Sequence, residues 1–169
     1  MSLESHRRTG ARPLAFGILT ISDTRDAATD KGGPWLAEAC LAAGHSVARR
    51  AIVKDVPAQI VAAVDLLVDD AAVEFVLCTG GTGLAPRDST PEALRPRFDK
   101  EIPGFGELFR WLSYQEIGSA AILSRATAGV VRGKVVALLP GSPKALRLAW
   151  ERILAPECGH LATQARGAG

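Results

Sequence analysis

Two aspartates and a glycine-rich turn are the residues of this 169-residue chain whose types and surroundings could do chemistry. Asp55 follows the apolar stretch Val47–Val53 and precedes Val56-Pro57; Asp88 lies beyond Thr79-Gly80-Gly81-Thr82-Gly83 and precedes Ser89-Thr90-Pro91. Glycines let successive backbone N–H groups turn toward one anion, which makes Gly80–Gly83 a phosphate-binding candidate. Carboxylates are hard oxygen donors, and a pair of them beside a phosphate points to magnesium. Each feature also has a plainer reading. The turn lacks the Gly-Lys-Ser/Thr ending of a P-loop, and Pro86 stands where a dinucleotide fingerprint has its third glycine, so it fits a tight turn equally well. Either aspartate fits a helix cap worth about 1 kcal/mol. Ser89 or Thr90 would suffice as the later cap, which leaves Asp88 spare.

The elements that must position these residues follow from periodicity. Leu14–Ser22 is a nearly unbroken apolar run, expected as a strand covered on both faces, and Asp23–Gly33 is a loop. Pro34–Ala43 reads as a helix closed by Gly44, and Val47–Val53 as a second strand. Ile60, Ala63, Val64, Leu67 and Val68 mark one face of the next helix, and Val73–Cys78 is a third strand. Ser89-Thr90-Pro91-Glu92 has the spacing of a capping box. Ile102–Gly106 is expected to break the chain before a helix through Phe109, Trp111 and Leu112. Ala128–Val131 and Val135–Leu139 are two more strands, joined around Arg132-Gly133-Lys134. A last helix carries Leu146, Ala149, Trp150, Ile153 and Leu154 and should weaken or stop at Pro156.

Alternating strands and helices predict one α/β domain, a three-layer α/β/α arrangement with a mostly parallel, doubly wound sheet. It should span residues 13–160, with a mobile N-terminal tail at 1–12 and a C-terminal tail at 161–169. Ser22-Asp23-Thr24, Lys54-Asp55, Gly80–Asp88 and Pro140–Pro143 all follow strands. In a parallel sheet those ends share one edge, where open α/β folds bind ligands, so the four segments form one site. Weaker candidates surround it. Asp23, Asp26 and Asp30 read as solvated turn residues, and Trp111 and Tyr114 as a packed helix face. Ser124-Arg125 suits an anionic group or an exposed salt bridge. Ser22 has no histidine nearby in sequence and no G-x-S-x-G elbow, which argues against a nucleophile.

Composition excludes several classes. The formal charge is +2, and that surplus sits in residues 1–12, where Arg7, Arg8 and Arg12 face only Glu4. The neutral remainder lacks the sustained basic field of a general nucleic-acid binder. Arginine outnumbers lysine 15 to 5, which suits bidentate phosphate or carboxylate contacts but equally reflects compositional bias. No apolar run is long enough to span a bilayer, so no membrane partner is expected, and no secretion signal follows the first arginines. Cys40, Cys78 and Cys158 show no CxxC spacing, and His6, His45 and His160 are scattered, so no structural zinc site is expected. The expected setting is cytoplasmic and reducing.

Several segments together resemble one family. Thr79–Gly83, Arg87-Asp88-Ser89-Thr90-Pro91, Ile102-Pro103-Gly104-Phe105-Gly106, Ser124-Arg125-Ala126 and Leu139-Pro140-Gly141-Ser142-Pro143 are similar to the motifs of the MoaB/Mog molybdopterin-binding proteins. Gly17–Asp23, Asp30-Lys31-Gly32 and Trp111–Gly118 extend the likeness to about residues 13–160, the last resembling the MoaB branch. The resemblance implies transfer of AMP from Mg-ATP to the terminal phosphate of molybdopterin, with pyrophosphate released. It also implies a homo-oligomer, a trimer or a hexamer of two trimers. A separate molybdate-inserting protein would take the product. By the same resemblance Asp55 and Asp88 organise magnesium and the reacting phosphates, and Gly80, Gly81, Thr82 and Gly83 form the phosphate loop. Ser22, Asp23, Asp30, Gly32, Thr79, Ser89, Thr90, Pro103, Gly104, Ser124, Arg125, Pro140, Gly141 and Ser142 complete the pterin and nucleotide site. Branch members that replace these acids imply an alternative, a molybdopterin-binding accessory without turnover. Here both positions are Asp, which favours activity.

Overall fold

The first apolar run folds as its composition demands. Strand β1 (Ala15–Ile21) is buried from Phe16 to Ile21, because it lies inside the sheet with helices on both faces. The computed structural model describes residues 12–167, so the expected tail lies outside the described residues except for Arg12. Five further strands complete the sheet: β2 (Ser46–Val53), β3 (Phe75–Thr79), β4 (Lys100–Glu101), β5 (Thr127–Val131) and β6 (Lys134–Leu139). Their order is β2-β1-β3-β6-β5-β4. The first four in that order pair in parallel, and β5 and β4 add an antiparallel margin.

The period of two in β1 distributes its side chains between two cores. Phe16 and Ile18 pack with Phe75, Leu77 and with Leu36 and Cys40 of α1 (Gly32–Ala42). Leu19 and Ile21 pack on the opposite face with Val76, Cys78 and with Ile60, Val64, Leu67 and Val68 of α2 (Pro57–Asp69). The short α3 (Thr90–Leu94) joins the α2 side through Leu94. The helices α4 (Pro103–Ile117), α5 (Pro143–Ala149) and α6 (Ala155–Ala165) cover the α1 side. This is the expected three-layer α/β/α arrangement. Because α1 and α2 lie on opposite faces, the winding reverses between β1 and β3.

Local details depart from expectation for identifiable reasons. Pro156 does not end the last helix. A wide turn at Trp150–Leu154, in which the Ala155 N–H reaches back to the Trp150 carbonyl, places Pro156 in the first turn of α6, where no N–H is needed. Residues 161–165, expected as tail, therefore continue the helix, and Ala162 is buried. The Ile102–Gly106 segment is no break either: Pro103 opens α4 and Gly106 lies inside it, where a Cβ would come within 2.7 Å of the Ala126 carbonyl. Trp111 and Tyr114 are exposed, since Phe105, Phe109 and Leu112 form the packed stripe of α4. Strand β4, two residues long, carried no legible apolar pattern. The β5–β6 hairpin turns on Arg132 and Gly133, both at positive φ (48° and 75°), which matches the twist of the paired strands.

Glu74, just before β3, gathers the two ends of the described chain. One carboxylate oxygen accepts from Arg12 (2.8 Å) and Arg166 (2.6 Å), while the other accepts the Ala15 N–H (2.9 Å). Burial alone would raise its pKa, but these partners outweigh it and hold the carboxyl down to about 2.

Candidate functional site

The reversal of winding between β1 and β3 leaves a crevice beyond their C-terminal ends, the usual ligand position in an open α/β sheet. A cavity of about 490 Å³ fills it, within the range of small-molecule sites. Ser22 and Asp23 enter from the end of β1, Asp55 from β2, Gly80–Gly83 and Asp88 from β3, and Pro140–Ser142 from β6. The four segments therefore converge as their order along the sequence predicts. Ser124 joins from the turn before β5.

The glycine turn is bent by its conformation and its neighbours. Gly80 and Gly81 have φ of 106° and 63°, and a Cβ on Gly80 would strike the Ile21 carbonyl. The Gly80 N–H bonds the Leu139 carbonyl (3.0 Å), and the Gly80 carbonyl accepts from Thr90 Oγ1 (3.0 Å), which ties β3, β6 and α3 together at the crevice. The Gly83 N–H has no acceptor among the described residues and remains available to an anion in the cavity.

Both aspartates are half-buried at the cavity, and neither caps the helix that follows it. Asp55 Oδ1 accepts the Ser89 N–H (3.1 Å) and Oγ–H (2.8 Å), while its own N–H bonds Asp23 Oδ1 (3.1 Å). Ser89 thus spends its hydroxyl on Asp55 instead of forming the expected capping box with Glu92. Asp88 Oδ2 accepts the Ala85 N–H (3.1 Å) within its own loop. Asp55 Oδ2 and Asp88 Oδ1 have no protein partner among the described residues. Each carboxylate is fixed by one oxygen and offers the other.

Other expected site residues stand elsewhere. Asp30 is not a solvated turn residue. It is buried, accepts from Thr20 Oγ1 (2.8 Å) and the Gly32 and Gly33 N–H groups, and so fastens the start of α1. Gly32 serves the same junction, with Leu146 against it. Thr79 is buried, its hydroxyl donating to the Pro140 carbonyl (3.3 Å). Ser89 and Thr90 act through Asp55 and Gly80. Pro103 and Gly104, at the start of α4, do not line the cavity, and neither does Arg125. The Arg125 guanidinium is engaged by the Thr82 and Asp88 carbonyls and by Glu92.

Reading the sequence missed Arg25 and the apolar wall of Phe109, Ile117 and Leu123, and it gave Arg87 no role of its own within the Gly80–Asp88 segment; all of these line the cavity. Arg25 sits two residues after Asp23 and Arg87 one before Asp88, so adjacency was the available signal. The wall was not legible, because Phe109 and Ile117 are eight residues apart on a helix whose tilt only the fold fixes. With Asp23, Asp55 and Asp88 facing Arg25 and Arg87, the lining holds one more negative than positive side chain. No cysteine or histidine lines it. The three cysteines are free and buried, and burial pushes the Cys40 and Cys78 thiols up to about 12. No cluster of three or more His, Cys, Asp or Glu suited to a metal exists among the described residues. No helix is long and apolar enough to cross a membrane among them.

A family described as a probable molybdopterin binding domain matches residues 17–160. Molybdenum cofactor biosynthesis protein B of Halalkalibacterium halodurans is 50% identical over 162 residues, 95% of each chain. A crystal structure of a molybdenum cofactor biosynthesis protein B superposes with a TM-score of 0.90 at 46% identity, covering 92% of this chain and 98% of that one. The tungsten cofactor synthesizing protein MoaB from Pyrococcus furiosus gives 0.83 at 37%, with the same coverage.

Proposed function

The chain belongs to the molybdopterin-binding domain family, and from that premise we propose that it acts in molybdenum cofactor biosynthesis as a Mg-ATP-dependent adenylyltransferase on molybdopterin. The observation that carries this reading is the meeting of Asp55, Asp88 and the Gly80–Gly83 turn at one cavity. In the reaction, an oxygen of the terminal phosphate of molybdopterin bonds to the α-phosphorus of ATP. The bond from that phosphorus to the β-bridging oxygen breaks, and its electron pair leaves with pyrophosphate. The attacking oxygen belongs to the substrate, so a protein nucleophile is unnecessary, in keeping with a lining free of cysteine and histidine.

The chain's own contribution is positioning and charge balance. Gly83 offers its N–H group to phosphate oxygens, Arg25 and Arg87 offer guanidinium donors, and the apolar wall excludes water from one side. The donor set fits magnesium: two carboxylates, each with one oxygen held and one free, leaving coordination positions for phosphate and water oxygens. When bound, magnesium neutralises charge on the phosphates and offsets the acidic excess of the lining. A homo-oligomer, trimer or hexamer, is supported by Leu108, Trp111 and Tyr114, exposed together on α4.

The test is to incubate the protein with molybdopterin, ATP and magnesium and to measure pyrophosphate and adenylylated pterin. Both should appear in equal amounts. Tight pterin binding without pyrophosphate would replace this reading with that of an accessory binder. One observation favours that second reading: each aspartate already has a structural duty in fastening its loop.

A further inference from the structure

The loop from β3 to α3 carries both the Gly83 N–H and the Asp88 carboxylate, so its shape sets the spacing between them. Its outer half is held internally by the Asp88 N–H to the Ala85 carbonyl (2.8 Å) and the Ala85 N–H to Asp88 Oδ2 (3.1 Å). Its ends are held from outside by Arg125, which lies between the turn at Gly118–Leu123 and β5. Arg125 Nε donates to the Thr82 carbonyl (3.4 Å), Nη2 donates to the Asp88 carbonyl (2.8 Å), and Nη1 pairs with the Glu92 carboxylate.

Peptide planarity gives this grip a consequence. In a trans peptide the carbonyl and the next N–H point in opposite directions. Turning the Thr82 carbonyl onto Arg125 aims the Gly83 N–H the other way, and that N–H has no acceptor among the described residues. Turning the Asp88 carbonyl onto Arg125 aims the Ser89 N–H the other way, and it bonds Asp55 Oδ1 at 3.1 Å. Arg125 and Asp55 therefore hold opposite ends of one peptide unit. We propose that Arg125, braced by Glu92, is a positioning residue that orients the Thr82–Gly83 and Asp88–Ser89 peptides, and through them a phosphate donor, Asp55 and Asp88. Its cation serves the loop and does not contact the substrate. The assignment deepens the adenylyltransferase reading and rests on it for its kinetic consequence, whereas the grip on the loop stands independently.

Arg125→Lys keeps the charge and loses the planar fork that meets two carbonyls and a carboxylate at once. Three measurements on the full chain test it: amide hydrogen exchange of residues 81–90 without ligand, the dissociation constant for molybdopterin, and the kcat and KM of pyrophosphate release. In R125K, exchange in 81–90 should quicken relative to β1 and β3, and kcat should fall about tenfold or more with pterin affinity held within about threefold. Glu92→Gln, outside the cavity, should shift exchange and kcat in the same direction by less, and it decides the matter if R125K does not fold. A large loss of pterin affinity at unchanged kcat would make Arg125 a substrate ligand and overturn the proposal. Unchanged exchange in the loop would overturn it whether or not the wild type turns over. Absence of pyrophosphate with wild type would sink the adenylyltransferase reading alone, since exchange still reports the grip.

Discussion

Asp55 and Asp88 have the residue type and position of helix caps, yet each is fixed by a partner outside its own helix, Asp55 by Ser89 and Asp88 by Ala85. A carboxylate so fixed presents its free oxygen with little rotational freedom, and preorganisation of that kind is worth most when charge moves between phosphates. Asp88→Asn should therefore reduce kcat for pyrophosphate release by about a hundredfold while changing the pterin dissociation constant less than about threefold. Equal turnover in the variant and the wild type would remove Asp88 from the reaction. Arg125 shows the limit of reading single residues. Its type and position suit an anion ligand, but the cation is engaged by three groups of the protein, and only three-dimensional neighbours distinguish the two uses.

At the level of elements, the sheet was legible where strands are buried on both faces, since Leu14–Ser22 and Val73–Cys78 can be little else. The edge strand β4 was not, because its Lys and Glu are exposed and only pairing with β5 makes it a strand. The site was legible through strand ends, which parallel topology forces to one edge; its apolar wall comes from α4 and was hidden in helix orientation. The continuation past Pro156 depends on a wide turn that no local propensity announces. That continuation carries stability. Ending the chain after residue 160 removes the packed Ala162 and the Arg166–Glu74 pair. The expected loss is about 2 kcal/mol, or roughly 4–8 °C in Tm for a domain of this size, read by thermal unfolding. An unchanged Tm would show that the last turns of α6 contribute nothing.

Across the whole molecule, Glu74 links pH to folding. Its carboxyl ordinarily titrates near 4.5 and here is held down to about 2, so its contribution is complete above 4.5 and is lost as the pH falls through 2. Glu74→Gln should lower Tm at neutral pH, and the gap from wild type should narrow steadily between those two values; a constant gap would assign the effect to packing. On another face, the exposed Trp111 should meet a second copy, and Trp111→Glu should shift the protein to a smaller species in light scattering. An unchanged mass would free α4 from that role. The Glu74 contact has one more consequence, which is topological. A single carboxylate oxygen touches both Arg12 and Arg166, so the first and last parts of the described chain are fastened at one point. A linker joining residue 12 to residue 166 would permit circular permutation of the described domain, with new ends opened in an exposed loop. The junction lies at the N-terminal side of β1 and β3, roughly 20 Å of strand away from the crevice. A tether attached at residue 12 or residue 166 would therefore leave the crevice facing the solution.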